Sequence, residues 1–277
     1  MKQVNKLSFP DNKFDLYFLA YDSPQAVSSG HHWSDREGIL ELTHNYGSEH
    51  DDNFKVANGN SEPGKGFGHL CVSVDNIQAA CQRIEDAGYK FQKKLTDGRM
   101  RSIAFALDPD GYWVEIIGQN PVDKTEGVKE TKLEKYRFVR LGDSPGDQKL
   151  RQAHDIQNHT MIRVKSAEAS LKFYQEVMGM TLMRTSENKD NGFNLYFLGY
   201  PGSKGVPTES ANGVNPVADR EGLLELTWNY GTGTLDSNHV LRMDTDLCNL
   251  EKDESFKYHD GNSEPQGFGH ICKQTLF

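Results

Sequence analysis

The chain has 277 residues, and at about 150 residues per domain this length predicts two domains with room for a sizeable core. Lysine and arginine total 31 against 40 aspartate and glutamate residues, so the formal net charge is −9 at pH 7. An acidic balance gives no general attraction to phosphate backbones or anionic lipid. We therefore expect no nucleic acid and no membrane among its partners.

Four cysteines are scattered along the chain without a C-x-x-C spacing: Cys71, Cys81, Cys248 and Cys272. This distribution is typical of reduced thiols and not of a disulfide framework. The N-terminal residues lack the apolar core of a secretion signal, and no stretch reaches the ~20 apolar residues of a membrane span. We therefore expect a cytoplasmic protein.

Three blocks of the sequence occur twice, in the same order. The pairs are FDLYFL at 14–19 with FNLYFL at 193–198, DREGILELTHNYG at 35–47 with DREGLLELTWNYG at 219–231, and GNSEP plus GFGH within 59–69 and again within 261–270. The offset in residue number between the two copies changes only from one block to the next, as insertions in the intervening loops would cause. The repeat predicts a first domain at 1–121, a linker at 122–153 and a second domain at 154–277. We expect the first copy to lack its first strand and helix, and the second copy to lack its last helix and strands.

The first half contains a predicted strand, helix and hairpin in that order. A strand at Gly68–Val74 precedes a helix that Asp75 would cap and Gly88 would end, with apolar residues at helical spacing between them. Strands at 103–107 and 112–117 flank the sequence DPDG, which is a turn signal.

The second half begins with the same kind of pattern. A strand at Asn158–Lys165 alternates in polarity, and it precedes a helix with Ser166 as its cap and Gly179 as its terminator. The two halves together predict an α+β fold built from modules of strands and one helix.

Histidine and glutamate side chains stand out on the predicted strands. Because alternate residues share a face, His69 and His159 lie on strand faces turned away from the following helices. Glu41, Glu115 and Glu225 sit between apolar neighbours, where a carboxylate needs water, a partner or a metal. Because both residue types recur in the two copies, the pattern favours a metal site; solvated carboxylates and packed histidines are the alternative.

Seven motifs carry a resemblance to a known family. They are NHTMIRVK at 158–165, SLKFYQEVMGMTL at 170–182, LYFLGY at 195–200, LELTWNYG at 224–231, NGNSEP at 58–63, GFGH at 66–69 and DPDGYWVE at 108–115. Together they resemble glyoxalase I, the lactoylglutathione lyases of the vicinal oxygen chelate superfamily, in the fused two-copy form found in fungi. The resemblance implies an α+β fold of tandem βαβββ modules in two domains, with both termini truncated.

The resemblance also implies where the metal site lies. In that family four modules make two sites, each built across two modules. Modules two and three of this chain would then share one complete site, with the ligands His69, Glu115, His159 and Glu225. Modules one and four would share the other, for which only Glu41 and His270 are present. Two imidazoles and two carboxylates suit Zn²⁺ or Ni²⁺, and we expect zinc because the sequence is eukaryote-like.

The chemistry implied by the family is proton transfer within a glutathione conjugate. The substrate would be the hemithioacetal of glutathione and methylglyoxal, and a metal would stabilise the enediolate while a carboxylate moves the proton. Glu115 is the implied catalytic base, with Glu225 as its counterpart. The implied substrate-binding residues are Arg163, Asn229, Lys65, Lys93 and Arg99 for the polar groups, and Met100, Phe193, Leu195 and Phe197 for the apolar side. We expect a monomer with an intramolecular site.

Two other interpretations compete with this one. A truncated pseudoenzyme could bind metal or glutathione conjugates without turnover, and metal content measured together with turnover would distinguish it. Another enzyme of the superfamily, such as a dioxygenase or epimerase, is the second; the glutathione-type motifs weigh against it. For the cationic residues a solvated surface role is the alternative, and for the apolar ones it is core packing.

Overall fold

The structure is a computed structural model that describes residues 1–22, 30–98, 100–119, 155–202, 205–207, 215–230 and 256–272. The predicted linker at 122–153 lies outside the described residues, as does Arg99. The division into domains at 1–121 and 154–277 therefore stays a prediction.

Module one is a three-stranded antiparallel sheet of β1 (Lys2–Phe9), β2 (Phe14–Ala20) and β3 (Leu40–Asn45). The turn between β1 and β2 ends at Lys13, which is in the left-handed region with φ 59°. The repeat places Gly192 at the same point of the second copy, with φ 73°. The duplication in sequence is therefore also a duplication of backbone conformation.

Module two contains β4 (Phe67–Val74), α1 (Ile77–Asp86), β5 (Phe91–Lys93), β6 (Ile103–Leu107) and β7 (Trp113–Gly118). The predicted strand, helix and hairpin are confirmed. The predicted cap is wrong by one residue: Asn76, not Asp75, accepts a hydrogen bond from the Ala79 amide at 3.0 Å. Aspartate and asparagine are both common N-cap residues, and here they are adjacent, so the sequence alone could not show which of the two caps the helix.

Module three contains β8 (Ile156–Val164), α2 (Ala167–Lys172), β9 (Thr181–Asn188), β10 (Phe193–Gly199) and β11 (Leu223–Asn229). Ser166 caps α2 as predicted, accepting from the Ala169 amide at 3.3 Å. One π-helical turn at Phe173–Val177 extends the helix. Because a π turn adds a residue, it shifts the apolar face, and Val177 is 70% exposed.

Modules two and three form one continuous sheet of eight strands in the order β5-β6-β7-β4-β8-β11-β10-β9. The antiparallel pair β4–β8 joins the two modules at the centre. Both helices pack on one face: α1 covers Val72 and Val74 of β4, and α2 covers the cluster around Val164 and Leu226. The opposite face of the four central strands is therefore the one that the helices leave open.

Module four is represented by residues 256–272, which run as an irregular segment with a single parallel bridge between Ala57 and Gly267. This segment lies against the loop that precedes β4. The architecture confirms the predicted α+β fold. Along the described stretches, the helices are too short and too polar to cross a bilayer.

Candidate metal centre

The four central strands of the eight-stranded sheet each contribute one polar side chain to the open face. Glu115 comes from β7, His69 from β4, His159 from β8 and Glu225 from β11. The strands are neighbours in that order, and the register of β4 sets Cys71 opposite both Glu115 and His159. Side chains on one face of adjacent strands are about 5 Å apart, so this register brings all four together.

The ligand atoms of this group converge to within 4.8 Å of one another. The two histidine Nε2 atoms are 3.2 Å apart. Glu115 Oε2 lies 3.3 Å from His69 Nε2 and 3.2 Å from His159 Nε2, and Glu225 Oε2 lies 2.9 Å from His159 Nε2. Atoms that share one ion at about 2.1 Å are themselves about 3–4 Å apart. The four donors therefore have the spacing of a common coordination sphere.

Burial makes this arrangement costly without a cation. The exposed fractions are 6% for His69, 8% for Glu115, 2% for His159 and 4% for Glu225. Two carboxylates in such a site need compensating positive charge. Burial opposes ionisation of Glu115, yet the His69 and His159 rings outweigh it and hold the pKa of Glu115 below its usual range. The carboxylate is thus poised as a charged ligand.

The Cys71 thiol lies beneath the group and is fully buried. Burial raises the pKa of Cys71, so the thiol stays protonated at neutral pH. A buried neutral thiol packs as a small apolar group. We therefore place Cys71 in the floor of the site and not among the ligands.

Hydrogen bonds from neighbouring residues orient two of the four side chains. Asn158 Oδ1 is 2.7 Å from His159 Nδ1, and the Asn158 amide donates to the carbonyls of Val217 and Arg220, both at 2.7 Å. This fixes Nδ1 of His159 as the donor and leaves Nε2 free to bind a metal. Thr227 Oγ1 donates to Glu225 Oε1 at 3.3 Å, which leaves Oε2 facing the histidines.

Asn158→Ala is expected to weaken metal binding by about 10–100-fold, because the His159 ring loses the acceptor that fixes its orientation. The measurement is a competition titration with a chromophoric chelator. Asn194→Ala serves as the control, since Asn194 is also a buried strand asparagine but bonds to Tyr230 and Tyr196 away from the group. Equal metal affinity in wild type and Asn158→Ala would remove the orienting role.

Aromatic and aliphatic side chains flank the metal-ligand candidates. Phe105 packs edge-on against His69 with ring centroids 5.3 Å apart, and Phe197 packs against His159 at 5.4 Å. Leu195 joins Phe197 in one apolar cluster, and Phe193 lies two residues further along the same face of β10. The predicted apolar residues of β10 thus line one side of the group. Phe105 was missed, although its alternation with Ile103 and Leu107 would have placed it on this face.

Arg163 lies on the same face of β8 as His159, and its guanidinium is turned to the loop before β4. Nη1 donates to the carbonyls of Gly59 at 3.0 Å and Phe67 at 2.7 Å, and Nη2 donates to Asn60 Oδ1 at 2.8 Å. Burial lowers the pKa of Arg163 from its usual value, although the side chain stays charged. In the described part of the chain no carboxylate forms an ion pair with it.

The other predicted cationic residues lie further out. Lys93 Nζ donates to the carbonyls of Met100 at 2.7 Å and Ile103 at 2.9 Å, so it holds the loop between β5 and β6. Met100 in that loop is 59% exposed. Lys65 is partly buried, and its carbonyl accepts from the His259 amide at 2.8 Å.

Asn229 ends β11 and donates through Nδ2 to the Tyr258 hydroxyl at 3.1 Å. The sequence predicted a binding role for Asn229 but not for Tyr258, because the segment of Tyr258 belongs to module four, which was expected to share the other, incomplete site with module one. The one available signal was the repeat itself, in which Tyr258 replaces Val56 of the first copy.

Glu41 and His270 do not form a comparable group. Glu41 is partly exposed on β3, and His270 is exposed at the end of the described chain segment. Within the described ranges, the group of His69, Glu115, His159 and Glu225 is the one set of three or more such side chains that could hold an ion.

Comparison with known proteins agrees with this architecture. A profile of the Glyoxalase/Bleomycin resistance protein/Dioxygenase superfamily matches residues 13–116 and again 156–275. The chain is 42% identical to "Glyoxalase I" of Saccharomyces cerevisiae over 98% of its length and 69% of the relative. It is 39% identical to "Lactoylglutathione lyase" of Schizosaccharomyces pombe over 98% of its length and 72% of that protein.

Solved structures give the same result. The crystal structure of glyoxalase I from Zea mays superposes with a TM-score of 0.52 at 26% identity, over 83% of this chain and 59% of the maize chain. The chain thus spans about three fifths of the length of the maize protein. With the profile matched twice, and two yeast relatives aligned over nearly the whole chain, this protein belongs to the glyoxalase I family of the Glyoxalase/Bleomycin resistance protein/Dioxygenase superfamily.

Proposed function

We propose that the chain is a metal-dependent lactoylglutathione lyase that isomerises the hemithioacetal of glutathione and methylglyoxal to S-lactoylglutathione. The observation that carries the proposal is the buried group of two imidazoles and two carboxylates, contributed by four adjacent strands. The names of the yeast relatives, "Glyoxalase I" and "Lactoylglutathione lyase", favour turnover over the pseudoenzyme interpretation.

His69, Glu115, His159 and Glu225 would hold the metal, and the mixed nitrogen and oxygen donors suit Zn²⁺ or Ni²⁺. Zinc is our choice because the relatives that span the chain are from eukaryotes. Such an ion would act as a Lewis acid that stabilises negative charge developing on the substrate oxygens.

Glu115 is the proposed base. Its carboxylate is shielded from water and would lie beside the bound cation, which favours its charged form, so it can take the proton from the carbon that bears the substrate hydroxyl. The same carboxyl group then returns the proton to the neighbouring carbon, and the hydroxyl proton passes from the first substrate oxygen to the second, which leaves the thioester carbonyl and the lactoyl hydroxyl. No redox cofactor and no covalent intermediate are required. Glu225, fixed by Thr227, is the counterpart on the other side.

The surrounding side chains would bind the rest of the conjugate. Phe197 and Leu195 form an apolar wall for the methyl group, and Phe193 continues it. Arg163, a buried cation without a carboxylate partner in the described residues, and Asn229 offer N–H donors for the carboxylates of glutathione. Lys65, Lys93, Arg99 and Met100 are proposed to complete the glutathione-binding surface.

The complete centre lies within one chain, so we propose that a monomer suffices for activity. We also propose a cytoplasmic location. The described cysteines Cys71, Cys81 and Cys272 are free thiols, as a reducing compartment would keep them. Cys248 lies outside the described residues.

The test is turnover by the purified chain, with its metal content measured in the same sample. We expect thioester formation from the preformed hemithioacetal at about one metal ion per chain. Binding of S-methylglutathione and metal without thioester formation would overturn the proposal in favour of the pseudoenzyme.

A further inference from the structure

The irregular segment of module four is held against the loop before β4 by a pair of equivalent backbone hydrogen bonds, one donated from each side. The Ala57 amide donates to the Gln266 carbonyl at 2.7 Å, and the His259 amide donates to the Lys65 carbonyl at 2.8 Å. In the repeat, His259 corresponds to Ala57 and Gln266 to Lys65, so these are the same contact made from both sides.

The two loops also share their internal structure. Gly59 and Gly261 both have φ near 80°, and in each a Cβ would collide with the backbone of the following phenylalanine. The corresponding rings of Phe67 and Phe268 stack on each other, with centroids 4.5 Å apart and planes inclined by 12°. The segment at 256–272 is therefore locked against the loop that leads into His69.

This contact brings Tyr258 to the open face of the eight-stranded sheet. Its hydroxyl accepts a hydrogen bond from Asn229, which alternates with Thr227 and Glu225 on one face of β11. Burial raises the pKa of Tyr258, so the hydroxyl keeps its proton. No acceptor for that proton occurs among the residues that the structure describes.

The Arg163 guanidinium lies close enough to the Tyr258 phenol for each to influence the pKa of the other. A guanidinium has five N–H donors, and the loop before β4 occupies three of those of Arg163. Two N–H groups of a buried cation and one phenol O–H are thus left without protein acceptors in the described chain. Donors of this kind, beside a positive charge, match the oxygen atoms of a carboxylate.

The distance between Asn229, the hydrogen-bond partner of Tyr258, and the metal-ligand candidates also fits the length of a glutathione conjugate. Asn229 is four residues beyond Glu225 along β11, which is about 13 Å at ~3.3 Å per residue. In glutathione the thiol belongs to the central cysteine, and about eight to ten covalent bonds lead from a carbon on that sulfur to either terminal carboxylate, which is roughly 10–12 Å in an extended conformation. A thiol conjugate with its reacting carbons at Glu115 can therefore reach Tyr258 with one end.

We propose that Tyr258, which module four supplies, is a substrate-binding residue of the centre between modules two and three, and that its hydroxyl donates to a carboxylate of the glutathione portion. The inference rests on the proposed function and adds a third module to the site. The first copy has Val56 at this position and cannot make the bond.

Tyr258→Phe is the test, because it removes the hydroxyl and keeps the ring. Losing one hydrogen bond to a charged carboxylate is expected to raise KM, and the Kd of S-methylglutathione measured by calorimetry, by about tenfold or more. We expect kcat to change less than twofold, since the terminal carboxylate is separated from the reacting carbons by about eight to ten covalent bonds. Tyr46→Phe is the matched control: it also removes one tyrosine hydroxyl, which donates to Asp15 in module one, and both constants should match wild type.

A Tyr258→Phe protein with wild-type KM and Kd, or with a fall confined to kcat, would overturn the inference. An equal rise of both constants in Tyr46→Phe would do the same, since the effect would then not belong to this site. The unfolding temperature of each variant, compared with wild type, separates lost binding from a damaged fold. Wild type that binds S-methylglutathione without turnover would refute the proposed lyase activity, while the calorimetric comparison would still decide the role of Tyr258.

Discussion

Glu115→Gln is expected to abolish essentially all lyase activity, with a fall in kcat of about 10³-fold or more. The amide cannot take a proton from carbon, and it removes one negative charge from a group in which Glu115 lies 3.2–3.3 Å from both histidines. The size of the side chain is unchanged, so the packing around it should survive. Thioester formation at saturating hemithioacetal is the measurement.

Glu41→Gln is the matched control, because Glu41 occupies the position of Glu225 in the first copy of the repeat. We expect its activity to stay within about twofold of wild type, since Glu41 is partly exposed and belongs to no metal-binding group in the described chain. Equal losses in the two variants would refute the assignment of activity to the centre between modules two and three.

Strand periodicity predicted which strand faces carry the two histidines of the candidate site. His69 and His159 were predicted on strand faces turned away from the helices, and both rings are there. Alternation in a strand is a local property, so it can be derived from sequence. That β4 and β8 are neighbours is a long-range pairing, and only the family resemblance, not periodicity, implied that the two modules meet.

Other features could not be derived, because they depend on which partner a side chain chooses in three dimensions. Arg163 was predicted to bind substrate, yet three of its donors hold the loop before β4. Asn158 precedes a predicted ligand, and nothing in its sequence position shows that it fixes the tautomer of His159. Tyr258 reaches the site through contacts between loops that are about 200 residues apart in sequence.

Removal of the metal by a chelator is expected to eliminate turnover and to lower the unfolding temperature by roughly 8–16 °C. With free metal at about 1,000 times its Kd, binding stabilises the folded chain by about 4 kcal/mol. For a protein of this size, 1 kcal/mol shifts the midpoint by about 2–4 °C. After chelation the carboxylates of Glu115 and Glu225, each less than 10% exposed, stay buried without a divalent cation between them. Their mutual repulsion then destabilises the folded state. Zn²⁺ and Ni²⁺ added back separately should each restore the midpoint, and their relative turnover identifies the better cofactor.

The shift caused by the chelator must depend on the four proposed ligands. In Glu115→Gln the metal loses one anionic ligand and binds more weakly, so chelation should lower the midpoint by less than in wild type. In Glu41→Gln the shift should equal that of wild type, because this residue lies in the other sheet, on β3. A chelated protein that keeps both its wild-type midpoint and its turnover would show that the four side chains hold no functional ion. A shift that is the same in wild type and Glu115→Gln would place the ion elsewhere in the chain.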